Sequence, residues 1–188
     1  MQSKMEKRLA GIAEGLAASR TDIPLSLKLK TAEMILHVMD RKKRHFGLFV
    51  ILGWQRKWHD HLDISDSEQD IFADRHLDIT RLRPGEHRRV DVSATVDFDG
   101  AILIDKHGTI VHSGVFIEGL RPRIVAQKLH PGRFADLSEQ FGFETKVHAR
   151  HLSAITASYV FKGTTVYTVS EENDAFHVFE GGRIMHHI

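Results

Sequence analysis

The sequence predicts an α/β fold in which helices flank a central mixed β-sheet and an N-terminal helical segment precedes it. Three observations carry this. Apolar residues near the N-terminus recur at helical spacing, "GLFVILG" is a short β-favouring run bounded by glycine, and "AILIDKHGTIVHSGVF" reads as two strands around a tight turn.

In residues 3–20, Met5, Leu9, Ile12 and Leu16 fall on one helical face with lysines and arginines opposite. After the turn signal "TDIP", residues 25–44 repeat the pattern with Leu29, Ala32, Met34, Ile35 and Val38, and their basic end suits a helix C-terminus. Residues 1–44 are thus read as N-terminal amphipathic helices, and residues 45–188 as the domain that follows. Residues 47–53 form a buried first strand. From 54 to 90 the chain is polar and irregular, without sustained periodicity. Strands are expected at 101–105 and 109–116, with Lys106, His107 and Gly108 at the turn. A loop with one or two brief helices follows. Then comes a helix in "VHARHLSAITASYVF", with Leu152, Ile155, Tyr159 and Val160 as its stripe, and two further strands, "TTVYTVS" and "AFHVFEGG".

A chain of 188 residues with 41% apolar content can bury the core of one domain. Its 26 basic and 25 acidic side chains nearly cancel, which argues against general polyanion binding. The absence of cysteine excludes disulfides and thiolate chemistry. No signal sequence is recognised, and no apolar run approaches the roughly 20 residues that span a bilayer. The expectation is a cytoplasmic protein with neither nucleic acid nor membrane as partner.

Three clusters at element ends carry the candidate chemistry: Asp99-Gly100-Ala101 where a strand begins, Ala149-Arg150-His151 entering a helix, and Ser170-Glu171-Glu172 where a strand ends. Each has an ordinary reading alone, as a turn pair, a solvated surface pair or a helix cap. Together they suit a nucleotide. Arg150 offers a planar fork for phosphate oxygens, and His151 either binds a metal or hydrogen-bonds a phosphate. Gly100 and Ala101 allow close approach to the backbone. Asp99 either coordinates Mg²⁺ or Mn²⁺ or helps to deprotonate an attacking hydroxyl. Neither a Walker A sequence nor GxGxxG is present.

With these motifs in this order, residues 47–184 resemble the diadenylate cyclase domain, in its short soluble type. The resemblance rests on "GLFVIL", "DGAILIDKHGTIVHSG", "ARHLSAITAS" and "VSEENDAFHVFEGGRI". It implies condensation of two ATP into cyclic di-AMP and pyrophosphate by a homo-oligomer in which two domains meet face to face. It further implies Mg²⁺ or Mn²⁺ held by Asp99 and His151, and a reacting group of Asp99, Gly100, Ala101, Arg150 and His151. Nucleotide contacts would come from Ile117, Ala149, Ser153, Ser170 and Glu171, with Ile117 near adenine. Residues 4–44 would influence which oligomer forms.

The sequence departs from the family at three places. Leu152 replaces a second arginine, Asp97-Phe98 replaces Leu-His, and His148-Ala149 replaces Gly-Thr. Losing one cationic contact weakens phosphate binding by about 1.5 to 3 kcal/mol, roughly tenfold to a hundredfold. An alternative is therefore a catalytically weak or inactive module of the same fold that senses ATP or a cyclic dinucleotide. A third reading uses His59, Asp60, His61 and Asp63 as a transition-metal site of a phosphohydrolase or other metal enzyme. Trp54 and Trp58 are read as packing residues, and His186 and His187 as no indication of a site.

Overall fold

The computed structural model describes residues 3–42, 44–63, 69–82, 95 and 99–188. Asp97 and Phe98 lie outside them. The architecture is the predicted α/β class: a mixed sheet with helices on both faces.

Helix α1 (Lys4–Gly15) starts at Ser3, whose hydroxyl accepts the Glu6 N–H while the Glu6 carboxylate accepts the Ser3 N–H. This reciprocal capping box satisfies two donors that the first turn would otherwise leave unpaired. Helix α2 (Leu25–Arg41) follows, and its basic last turn suits the helix dipole. Strand β1 (Leu48–Trp54) is buried along its whole length. The polar stretch then supplies a short 3₁₀ helix (Arg56–His61) and two-residue strands β2 (Leu62–Asp63) and β3 (Leu77–Asp78). The hairpin is β4 (Ala101–Asp105) and β5 (Thr109–Ile117). At its turn, Gly108 takes a φ of 92°, and Asp105 Oδ1 accepts the N–H groups of His107 and Thr109. Two brief helices, α3 (Pro122–Leu129) and α4 (Leu137–Phe141), precede α5 (Ala149–Val160). Strands β6 (Thr165–Val169), β7 (Phe176–Glu180) and β8 (Arg183–His187) close the chain.

The strand order is β2-β5-β4-β1-β6-β7-β8, with β3 also paired to β5. Among the described residues β1 and β4 run parallel and the other pairs are antiparallel. Period-two alternation sends Leu48, Val50 and Leu52 to one face, where they meet Ile12 of α1 and Ile35 and Leu36 of α2. Phe49 and Ile51 point the other way, toward Val125 of α3, Phe141 of α4 and Ile155 of α5. A central strand apolar on both faces thus appears in sequence as a continuous run. Each fully buried Ile or Leu contributes about 1.5 to 3 kcal/mol. The helices of residues 4–41 share this core with the sheet. Lys28 of α2 makes a 2.7 Å ion pair with Glu180 of β7, and both side chains are buried.

Two elements differ from expectation. The buried residues of α5 are His151, Ala154, Ile155, Thr156, Ala157 and Ser158, while Leu152, Tyr159 and Val160 lie half-buried on its flanks. Small side chains let this helix approach the sheet closely, so its inward face is poorer in large apolar residues than its margins. Strand β8 was not expected, because "RIMHH" lacks a buried alternation. It follows a Gly181-Gly182 turn with both φ angles positive, the two-residue hairpin geometry. That turn is fastened to α5, since Ser158 Oγ accepts the Gly182 N–H and Ser158 O accepts that of Gly181. Trp54 and Trp58 pack against each other and against Phe161, as expected of core aromatics. No helix among the described residues is long and apolar enough to cross a membrane.

Candidate functional site

Sheet register brings the three sequence clusters to one corner. Val50 pairs with Ile102 and Leu48 with Val169, so the starts of β1 and β4 and the end of β6 lie together. Asp99 just precedes β4, Ser170 and Glu171 just follow β6, and Arg150 sits in the first turn of α5.

Arg150 links them. Its Nη2 lies 3.5 Å from Asp99 Oδ1, and its Nη1 lies 3.6 Å from Glu171 Oε2. Charge-assisted hydrogen bonds are typically about 2.7 to 2.9 Å, so these longer pairs aim the guanidinium without saturating its donors. Arg150 is 26% exposed, whereas Asp99 and Glu171 are 78% and 67% exposed. The guanidinium rests on Gly47, where any Cβ would overlap it.

The α5 N-terminus adds a second attraction for anions. His148 is its N-cap but makes no side-chain capping bond; its ring instead lies 2.9 Å from Glu172 Oε1. The first-turn N–H groups thus lack a side-chain cap, and the helix dipole favours negative charge beside them. His151, one turn in, is 5% exposed. Burial, then the Arg150 charge and His148, lower its pKa to about 4, so the ring is neutral at pH 7. Its Nε2 has no hydrogen-bond partner among the described residues. The ring meets His177 edge-on, with centroids 4.9 Å apart. Burial, followed by the neighbouring His151, likewise lowers the His177 pKa to about 4.

Beside this corner lies a cavity of about 730 Å³. It falls within the roughly 300 to 1,000 Å³ typical of small-molecule sites. Of the sequence-predicted residues, Arg150, His151, Ser170 and Glu171 line it. Asp99 faces the same guanidinium but is not part of the cavity wall. Gly100 has a φ of 105°, and a Cβ there would meet the backbone of Gly114 and Val115 at 2.6 to 2.9 Å. Its small size therefore serves close approach of β4 to β5. Ala101 is fully buried in the core, Ile117 is half-buried at the end of β5, Ala149 is exposed and Ser153 is half-buried. None of these four lines the cavity. Leu152 packs half-buried against the core on the α5 face.

The lining also contains residues that sequence reasoning missed: Phe143, Lys146, His177 and His187. His177 shares a strand face with buried Phe179, and its ring stacks on Phe179 with an interplanar angle of 6°. A titratable residue on the inward face of a buried strand was the available signal. His187 stacks on His177 with centroids 5.8 Å apart, although the terminal histidines carried no motif.

Among the described residues, no three His, Asp or Glu side chains converge on one point to cage a metal, including around His59, Asp60, His61 and Asp63. A Mg²⁺ ion needs less, because it is commonly bound through one or two carboxylates together with substrate phosphates. The exposed Asp99 carboxylate beside Arg150 is the oxygen donor of the type such an ion takes, whereas the His151 Nε2 is a buried nitrogen.

No protein-family model matches the chain, and no curated protein matches it. Among solved structures, it is similar to one described as the hypothetical membrane spanning protein from Bacillus cereus, at 18% identity and a TM-score of 0.48. The match covers 84% of this chain and 61% of that one.

Proposed function

We propose that this chain is a diadenylate cyclase, binding ATP at the Arg150 corner and joining two ATP molecules into cyclic di-AMP across a face-to-face homodimer. The observation that carries this reading is the convergence of Asp99 and Glu171 on the guanidinium of Arg150, which with Glu171 lines the cavity. Arg150 and the α5 N-terminus would hold the triphosphate. Asp99 would orient the 3′-hydroxyl or hold a Mg²⁺ or Mn²⁺ ion shared with the phosphates. Ser170 and Glu171 would border the same pocket.

In each half-reaction the 3′-oxygen of one ATP forms a bond to the α-phosphorus of the other. The bond to pyrophosphate breaks, and the hydroxyl proton passes to Asp99 or to solvent. A bound divalent cation would supply charge neutralisation on the phosphoryl oxygens. One such corner serves one ATP, so the second nucleotide must come from a second copy of the chain, and a two-fold product suits an isologous pair. Cysteine-free composition and ATP as substrate fit a cytoplasmic setting, without nucleic acid or membrane.

A second reading, binding without turnover, is favoured by Leu152. It packs against the core at the position where the family carries a second arginine. Incubation with ATP and Mn²⁺ or Mg²⁺, followed by chromatography, separates the two. Cyclic di-AMP from the parent chain but not from Asp99→Ala supports the cyclase. ATP binding without product at any protein concentration supports the module and refutes the cyclase.

A further inference from the structure

A second polar arrangement is built around β5. The Asp70 carboxylate is 2% exposed; its Oδ1 accepts the Ser113 N–H at 2.8 Å, and its Oδ2 lies 2.6 Å from His112 Nδ1. A carboxylate only accepts, so Nδ1 carries the proton, and Nε2 is the ring nitrogen left to face a ligand. The bond to Ser113 anchors residue 70 to β5 whatever residue 112 is. The second oxygen fixes the imidazole, as carboxylates do behind metal-bound histidines. The His112 ring, 18% exposed, meets His59 edge-on, with centroids 5.4 Å apart and planes at 70°.

That spacing is informative. Two imidazoles on one tetrahedral ion, each with a nitrogen-to-metal bond of about 2.0 to 2.1 Å, place their centroids about 5 Å apart. His59 is exposed on a 3₁₀ helix that is braced on either side of it. Trp58 packs on Trp54 and Phe161, and His61 Nδ1 donates to Glu118 O at 3.0 Å. His61 is thereby turned toward other partners.

We propose that His59 and His112 hold a zinc-class divalent transition-metal ion, with Asp70 as the positioning carboxylate. Two protein nitrogens leave the other coordination positions to water or an anionic ligand, in keeping with the lack of a third converging donor among the described residues. Imidazole donors select Zn²⁺, Co²⁺, Ni²⁺ or Cu²⁺, whereas Mg²⁺ prefers oxygen. This site is therefore chemically distinct from the Arg150 corner and independent of the cyclase reading.

Titration of the chelator-stripped full chain tests it, with Co²⁺ followed by visible absorption and Zn²⁺ by competition with a chromophoric chelator. The expected result is one equivalent per chain, removed by His59→Ala and by His112→Ala and retained by His61→Ala. Asp70→Asn should weaken it about tenfold to a hundredfold. Because His59 is exposed, His59→Ala should keep the parent's circular dichroism and unfolding temperature, which makes its loss of metal readable. Failure to bind an equivalent, binding that survives either His59→Ala or His112→Ala, or loss on His61→Ala would each overturn the proposal.

Discussion

Replacing Gly47 by alanine should disable the Arg150 corner while leaving the fold intact. The φ of Gly47 is negative, so alanine can adopt its backbone, and the entropy removed from the unfolded chain contributes about 0.4 to 1 kcal/mol of stability. The added Cβ would occupy the space now filled by Nη1, Cζ and Nη2 of Arg150. These atoms end a flexible side chain, so they move rather than the strand. Moving them takes the guanidinium from between Asp99 and Glu171. A phosphate then loses a charge-assisted contact of about 1.5 to 3 kcal/mol, a fall of roughly tenfold to a hundredfold in affinity. Calorimetric titration with ATP reads the affinity, and urea unfolding reads the stability, expected to change by less than about 1 kcal/mol. Arg150→Ala should weaken binding similarly. The Gly47→Ala/Arg150→Ala pair should be no worse than Arg150→Ala alone, because both act through one group. Unchanged ATP affinity in Gly47→Ala, or full additivity with Arg150→Ala, would refute this account of the corner.

Gly100→Ala should do the opposite, lowering stability by at least about 1 to 3 kcal/mol in urea unfolding, because a Cβ at positive φ is driven into the β5 backbone. Acid should destabilise the fold between about pH 6.5 and 4. The folded-state pKa values of His151 and His177 are depressed to about 4, so the unfolded chain binds more protons in that window and stability falls as pH falls. Between pH 7 and 5 the two rings together should cost about 2 to 4 kcal/mol, and His177→Phe should reduce that loss in denaturant titrations at the two pH values. Lys28→Met should cost about 3 to 5 kcal/mol in urea unfolding by leaving Glu180 buried and unpaired, and adding Glu180→Met should recover most of it.

The fold was legible wherever burial is set by local pattern. Strand β1 is apolar on both faces, and the β4–β5 turn holds its glycine in the required conformation. Helix α5 was found for its period, yet its inward face was misjudged. Periodicity weights side-chain size, whereas close helix-to-sheet packing selects Ala154, Ala157 and Ser158. Strand β8 was missed because its stability comes from pairing with β7 and from Ser158 holding its turn, contacts that no local alternation encodes. His59 was named from the sequence with Asp60, His61 and Asp63 as its company, whereas His112 of β5 is the ring beside it in space, with Asp70 against His112. They lie far apart along the chain, and β5 brings them together.

Glycine shows most sharply which spatial relations a sequence encodes and which it leaves to the fold. Asp99, Arg150 and Glu171 do meet, because parallel pairing of β1 with β4 and antiparallel pairing of β1 with β6 place Asp99 and Glu171 at one end of the sheet, and α5 sets the Arg150 guanidinium against Gly47 there. Gly100 lies inside a motif, which invites a reading as room for a ligand, yet the space its Cβ would take belongs to Gly114 and Val115. Gly47 opens the "GLFVIL" strand and looks only like a strand boundary, yet the space of its missing Cβ is what the Arg150 guanidinium occupies. A glycine in a sequence signals that a side chain is excluded, but what excludes it is a tertiary fact. At this corner the strand approach claims the space beside Gly100, and the Arg150 guanidinium claims the space beside Gly47.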